Sequence, residues 1–279
     1  MFSAFQSFSV GASSAPALPR IMQLSALYAL GVDLPRGEVI MIAGRSGSQK
    51  SGFALFLIWS LRLPTLYLAA DMSARTVAYR LAAMATGQPI RDIAASVQAD
   101  PEARERYAAT LADAPLTFSY DSPITWEGLA ITLDAYVETW DAYPEVIVID
   151  NLMDIQGASA EYAEQMEAMQ GCTELAQQLG ATVFVLHHAT DKGQSRRDPW
   201  SPPTRAEVKG GLSEKPSLSL SVSLQPDTNA FRVAAIKNRH GKSDPMAENH
   251  ASLYADPERN RFYSSPVVPG MADSFTREP

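Results

Sequence analysis

The sequence predicts an α/β fold in which a central, mostly parallel sheet is flanked by helices. Three observations predict it. Short apolar runs alternate along the chain with segments of helical period, the pattern of repeated strand and helix units. The runs are apolar throughout rather than at every second position, so both faces of the sheet are covered. Polar residues able to do chemistry follow several of the runs, where an open parallel sheet gathers its ligand site.

In chain order, strands are expected at 39–43, 65–70, 116–120, 146–150, 182–187, 218–224 and 231–237. Between the first five lie helical segments at 51–61, 74–85, 101–112, 126–140 and 162–179. In the last of these, Met166, Met169, Cys172, Ala176 and Leu179 recur at helical spacing, which reads as a core-facing stripe. Residues 1–30, rich in Ser, Ala and Pro with a short apolar stretch at 21–30, are expected to form an arm or linker. The domain is expected over 31–244, and 245–279 as a C-terminal extension with one strand-like patch at 261–263.

Composition narrows the function. A net charge of −8 over 279 residues argues against a surface that coats nucleic acid, although it leaves room for a local basic channel. No apolar run approaches the roughly 20 residues that span a bilayer. The N-terminus has no basic residue before Arg20 and no strong apolar centre, unlike a secretory leader. A single cysteine, Cys172, forbids an intramolecular disulfide and a Cys-cluster metal site, which suits a reducing cytoplasm.

The stretch EVIMIAGRSGSQKS, residues 38–51, reads as a phosphate-binding loop. An apolar strand leads to Gly44, and residues Arg45, Ser46, Gly47, Ser48 and Gln49 turn into a helix opened by Lys50 and Ser51. Unpaired N–H groups at such a helix start suit a polyphosphate, with Lys50 on the outer phosphates and the Ser51 hydroxyl on magnesium. Gln49 stands where the GxxxxGK[ST] pattern has its second glycine.

The ends of the other strands supply partners. Asp150 closes the run EVIVID, as an acid held by a buried strand to bind magnesium; a turn or cap aspartate is the alternative. Asp71 follows the second strand, where it either polarises an attacking water or caps the helix beginning near Ser73. His187 and His188 end the fifth strand, where one could sense a terminal phosphate while the other packs. The last strand ends in Lys237-Asn238-Arg239, and all these groups are expected on one edge of the sheet.

The segment DKGQSRRDPWSPPTRAEVKGG, residues 191–211, is basic in an otherwise acidic chain. Lys192, Arg196, Arg197, Arg205 and Lys209 beside Trp200 suit the phosphates and bases of a single-stranded nucleic acid. A solvated linker has the same composition.

With these residues collected, the chain from about residue 31 to 241 resembles the RecA-like ATPase domain of DnaB-family replicative helicases. GVDLPRGEVIMIAGRSGSQKSGFAL looks like its lead-in and Walker A segment, LYLAADMSARTVAYRLAA like the motif carrying its catalytic carboxylate, and VIVIDNL like its Walker B strand. FVLHHAT occupies its polar sensor, and TRAEVKGGLSEK followed by AAIKNRHG looks like its closing segments. The His-His sensor is also similar to RepA-type plasmid helicases. The resemblance implies a RecA-like P-loop NTPase fold, ATP with magnesium, and Asp71 as general base. It further implies His188 as sensor, and Lys237 with Arg239 reaching a neighbour's ATP across a subunit boundary.

Single-stranded DNA, a homo-oligomer in the form of a hexameric ring or a filament, and a helicase loader or other replication proteins are the implied partners, with no membrane. A phage or plasmid replication system, and so a bacterial host cytoplasm, suits a motor of this kind. The sequence departs from the family at Gln49 for glycine, Asp71 for glutamate and His188 for glutamine, and primase recruitment is not carried over. A recombinase filament with the same core is one alternative. A nucleotide-dependent scaffold or loader with weak ATPase activity is the other, motivated by Gln49 and Asp71.

Overall fold

The computed structural model describes residues 16–158, 161–190 and 198–264. Among them one nine-stranded sheet runs in the order β3-β2-β4-β5-β1-β6-β7-β8-β9. The strands are β1 (Val39–Gly44), β2 (Thr65–Ala69), β3 (Leu116–Ser119), β4 (Val146–Asp150), β5 (Thr182–His188), β6 (Leu218–Gln225), β7 (Ala230–Asn238), β8 (Ala251–Asp256) and β9 (Arg261–Tyr263). From β3 to β6 every pairing is parallel, and β7, β8 and β9 add on antiparallel.

The helices are α1 (Ser25–Ala29), α2 (Lys50–Leu61), α3 (Ala74–Thr86), α4 (Ile90–Ala99), α5 (Pro101–Ala109), α6 (Trp126–Trp140) and α7 (Tyr162–Leu179). They cover both faces, as continuous burial of β1, β2 and β4 requires. Strand alternation divides the core in two. Ile40 and Ile42 join Phe53 on one face, while Val39, Met41 and Ala43 join Met169 and Cys172 on the other. Burial pushes the Cys172 thiol up to about 12, as befits a packing residue. No described helix is long and apolar enough to cross a membrane.

Three features differ from the sequence reading. The helix α4 lies where none was expected, after the break at Gly87 and Pro89, and α5 ends at Ala109 rather than near 112. The expected extension carries β8 and β9, which continue the sheet. Phe262 of β9 lies 5.2 Å from Phe53 and 4.7 Å from Phe231 between ring centres, each pair adding about 0.5–1.5 kcal/mol beyond area burial. At the other terminus Leu24 and Leu27 are fully buried in that core. Ser264 Oγ accepts from Ala26 N at 2.9 Å and donates to Gln23 O at 2.8 Å, so segments expected as arm and extension are laced to each other.

The third difference concerns direction. The register sets Asn238 beside Leu218 and Leu218 beside Ile40, whereas Gly44 lies beside Val222. Lys237, Asn238 and Arg239 therefore sit at the edge where β1 begins, not where it ends. They are about 13 Å along the strands from the phosphate loop. The cause is the short connection 226–229, which reverses the chain and makes β7 antiparallel.

Candidate nucleotide-binding site

The turn after β1 is shaped by backbone constraints. A Cβ on Gly44 would collide with Ser48 Oγ and come within 3.0 Å of Val222 Cγ2, so only glycine fits where the loop folds back. Gly47 takes a left-handed φ of +74°, and Gln49, directly before α2, takes φ +64°. That is the conformation for which the pattern has glycine, and a side chain there carries strain. Gln49 Oε1 also sits 2.7 Å from where a Cβ on Gly52 would stand, as does Asn260 Oδ1. Asn260 Nδ2 donates to Gly52 O at 2.9 Å, so the turn before β9 buttresses the first turn of α2.

Beside this loop lies a cavity of 380 Å³, walled by residues 46–52 and by Asp71, Thr76, Arg80 and His188. Lys50 is 8% exposed, with Nζ 3.3 Å from Arg45 O. The buried Ser48 Oγ finds no partner among the described residues. An ammonium, an orphaned hydroxyl and a helix N-terminus together make a donor set that fits a polyphosphate.

Asp150 stands 2% exposed at the end of β4. Burial raises its carboxyl above the ordinary range, while hydrogen bonds from Tyr67 and Ser51 work in the other direction. Tyr67 Oη donates to Oδ2 at 2.8 Å. A carboxylate and the Ser51 hydroxyl that bonds it form an oxygen pair suited to magnesium, which keeps much of its water shell.

The capping alternative for Asp71 is taken by its neighbour. Ser73 is the N-cap of α3, its Oγ accepting from Thr76 N at 3.2 Å, and Asp71 stays exposed on the cavity wall. The two histidines separate as strand neighbours must: His187 is fully buried, and His188 lines the cavity.

Two expected groups are placed elsewhere. Arg45, counted with the phosphate loop, turns from the cavity, its guanidinium donating to Ser201 O at 3.1 Å and Glu207 Oε1 at 2.9 Å. Lys237, expected to act with Arg239, donates from Nζ to Pro216 O at 2.6 Å and to Glu214 O within its own chain. Arg239 is exposed, on a loop held by Arg239 N to Ser217 O and His240 N to Asn238 Oδ1.

Of the basic segment, Lys192, Arg196 and Arg197 lie outside the described residues. Trp200 is 37% exposed, with its carbonyl taking a bond from Ser223 Oγ at 2.6 Å. Arg205 is drawn to Ser213 Oγ and Glu214, and Lys209 opens a short 3-10 turn. The described part therefore does not gather a basic cluster.

Arg80 is a site residue that the motifs do not mark. It reaches the cavity half-buried, with Nη1 3.3 Å from Met72 Sδ. Desolvation lowers its pKa, yet a guanidinium remains charged and brings a cation to the outer end of the site. Its signal was helical spacing, since Thr76 and Arg80 share one face of α3.

Comparison with known proteins agrees with this geometry. The chain is 26% identical over 260 residues to the Gene 65 protein of Mycobacterium phage L5, covering 91% of this chain and 95% of the relative. It is 25% identical over 226 residues to the Gene 65 protein of Mycobacterium phage D29, covering 77% and 94%. Among solved structures, the ATPase domain of a DnaB-like helicase matches at a TM-score of 0.72 and 15% identity, over 93% of this chain and 96% of that one. A DnaB-like replicative helicase, solved for its interactions with primase, matches at 0.72 and 15%, over 93% and 66%. The fold is thus the RecA-like P-loop ATPase fold of DnaB-like helicase ATPase domains. The family model of an AAA domain matches residues 20–194, more than half of the chain. By that match the chain belongs to the AAA domain family.

Proposed function

We propose that this protein is an ATP-hydrolysing, DnaB-like motor acting on single-stranded DNA in replication, with each ATP held between two subunits. One observation carries the reading: the phosphate loop and the exposed Arg239 occupy opposite edges of the same sheet. A chain cannot bring its own Arg239 to its own loop, but head-to-tail association brings one subunit's arginine to the next subunit's cavity.

In this account the 46–51 backbone and Lys50 hold the phosphates, and Ser51 with Asp150 would hold magnesium. Magnesium, when bound, neutralises phosphate charge and bridges phosphate oxygens. Asp71 accepts a proton from the attacking water, His188 and Arg80 meet the terminal phosphoryl group, and Arg239 of the adjoining subunit stabilises the charge of the transition state. Lys237 anchors the loop that presents Arg239. Basic residues of the 191–209 segment and Trp200 would meet the DNA. Closed rings or open filaments both satisfy the geometry.

A second reading, a nucleotide-dependent scaffold with little hydrolysis, is favoured by the left-handed Gln49 in the loop. Phosphate release with and without single-stranded DNA separates the two. The motor reading expects stimulation that Lys50→Ala abolishes. No stimulation in a confirmed assembly overturns it in favour of the scaffold.

A further inference from the structure

The phosphate loop is tied to a segment that the nucleotide reading leaves unused. Arg45 and Glu207 form an ion pair at 2.9 Å, with side chains 22% and 11% exposed. The other carboxylate oxygen of Glu207 accepts from Thr204 N and Thr204 Oγ1, both at 2.7 Å. A nearly buried carboxylate is therefore shared between the loop and the turn 204–207.

The backbone closes the same circuit. Ala189 N donates to Gly44 O at 3.1 Å, Thr190 N donates to Glu207 O at 2.8 Å, and Ala189 bridges Val208. The first residues of the phosphate loop, the residues just past His188, and the 204–208 turn are thus bonded in a ring. Outside the ring, the segment is attached through Ser223 Oγ to Trp200 O and Arg205 N to Pro245 O. A shift of this segment, as when a polyanion engages it, would be felt at Arg45, one residue from the cavity wall at Ser46.

We propose that Glu207 is a positioning residue of the phosphate loop, holding it through Arg45 so that the placement of the 198–208 segment sets nucleotide affinity. The proposal rests on the nucleotide reading of the cavity. Removing either partner leaves the other charge largely desolvated, and the strain falls on the loop itself.

The test is a double-mutant cycle on the full chain, read by titration with a fluorescent ATP analogue and by thermal melting. Glu207→Ala and Arg45→Ala should each weaken binding by about tenfold, and the double variant should lose little more than either single one. Arg45→Lys, which keeps the charge, should recover part of the loss. Should Glu207→Ala fail to fold, Arg45→Ala and Arg45→Lys carry the comparison with the unmodified chain. A merely structural pair would lower the melting temperature and leave affinity unchanged, or give additive losses; either result overturns the proposal. Absence of binding by the unmodified chain overturns the nucleotide reading, and this inference with it. Normal binding by that chain and by both single variants overturns this inference alone.

Discussion

Tyr67 Oη donates a hydrogen bond to Asp150 Oδ2 across 2.8 Å in the interior between β2 and β4. Burial, and then the nearby Asp150 charge, raises the Tyr67 phenol well above its ordinary range, so it remains a donor. The bond occupies one carboxylate oxygen and orients the other. Tyr67→Phe should cost about 1–3 kcal/mol of stability by leaving a buried acceptor unpaired. It should also raise the magnesium concentration needed for half-maximal ATP hydrolysis. A melt and a magnesium titration check both, and an unchanged magnesium dependence would show that Tyr67 has no part in placing Asp150.

Gln49→Gly should relieve a left-handed side-chain residue, gaining on the order of 1 kcal/mol less the entropy that glycine adds to the unfolded chain. Nucleotide affinity should be equal or tighter. A large loss of affinity in the titration would mark the glutamine as a ligand in its own right.

Arg80→Ala should weaken ATP binding by about tenfold, the scale of one hydrogen bond to a charged group. Binding of ADP should change less, because Arg80 lies beyond the loop on the α3 wall of the cavity. Equal losses for both nucleotides would place its charge at the inner phosphates instead.

Phe262→Ala should destabilise the protein by about 3–5 kcal/mol, the cost of deleting a large buried ring. Phe262 is 1% exposed and touches both Phe53 and Phe231. Denaturant unfolding measures it, and a loss under about 1 kcal/mol would mean that β9 is not part of the cooperative core.

Much of this was legible in the sequence, for local reasons. The strands β1, β2, β4 and β5 are continuous apolar runs, and the acids and histidines sit directly at their ends. The strand β8 escaped because it buries only alternate residues, Ala251, Leu253 and Ala255, on a short outer strand. Arg45 was misplaced because a motif assigns positions, not partners, and Glu207 lies far along the chain. The edge that carries Arg239 could have been read. Residues 226–229 are too few for a parallel crossover, which needs a dozen or more, so β7 had to run back.

The central claim, a site composed from two subunits, is tested most directly by mixing two inactive variants. Lys50→Ala lacks a working loop, and Arg239→Ala lacks the arginine that serves its neighbour. In an equal mixture roughly one interface in four joins the intact loop of one to the intact arginine of the other. DNA-stimulated phosphate release should therefore reappear on mixing, although neither variant shows it alone. No recovery in mixed assemblies, or full activity of Arg239→Ala by itself, would contradict the account.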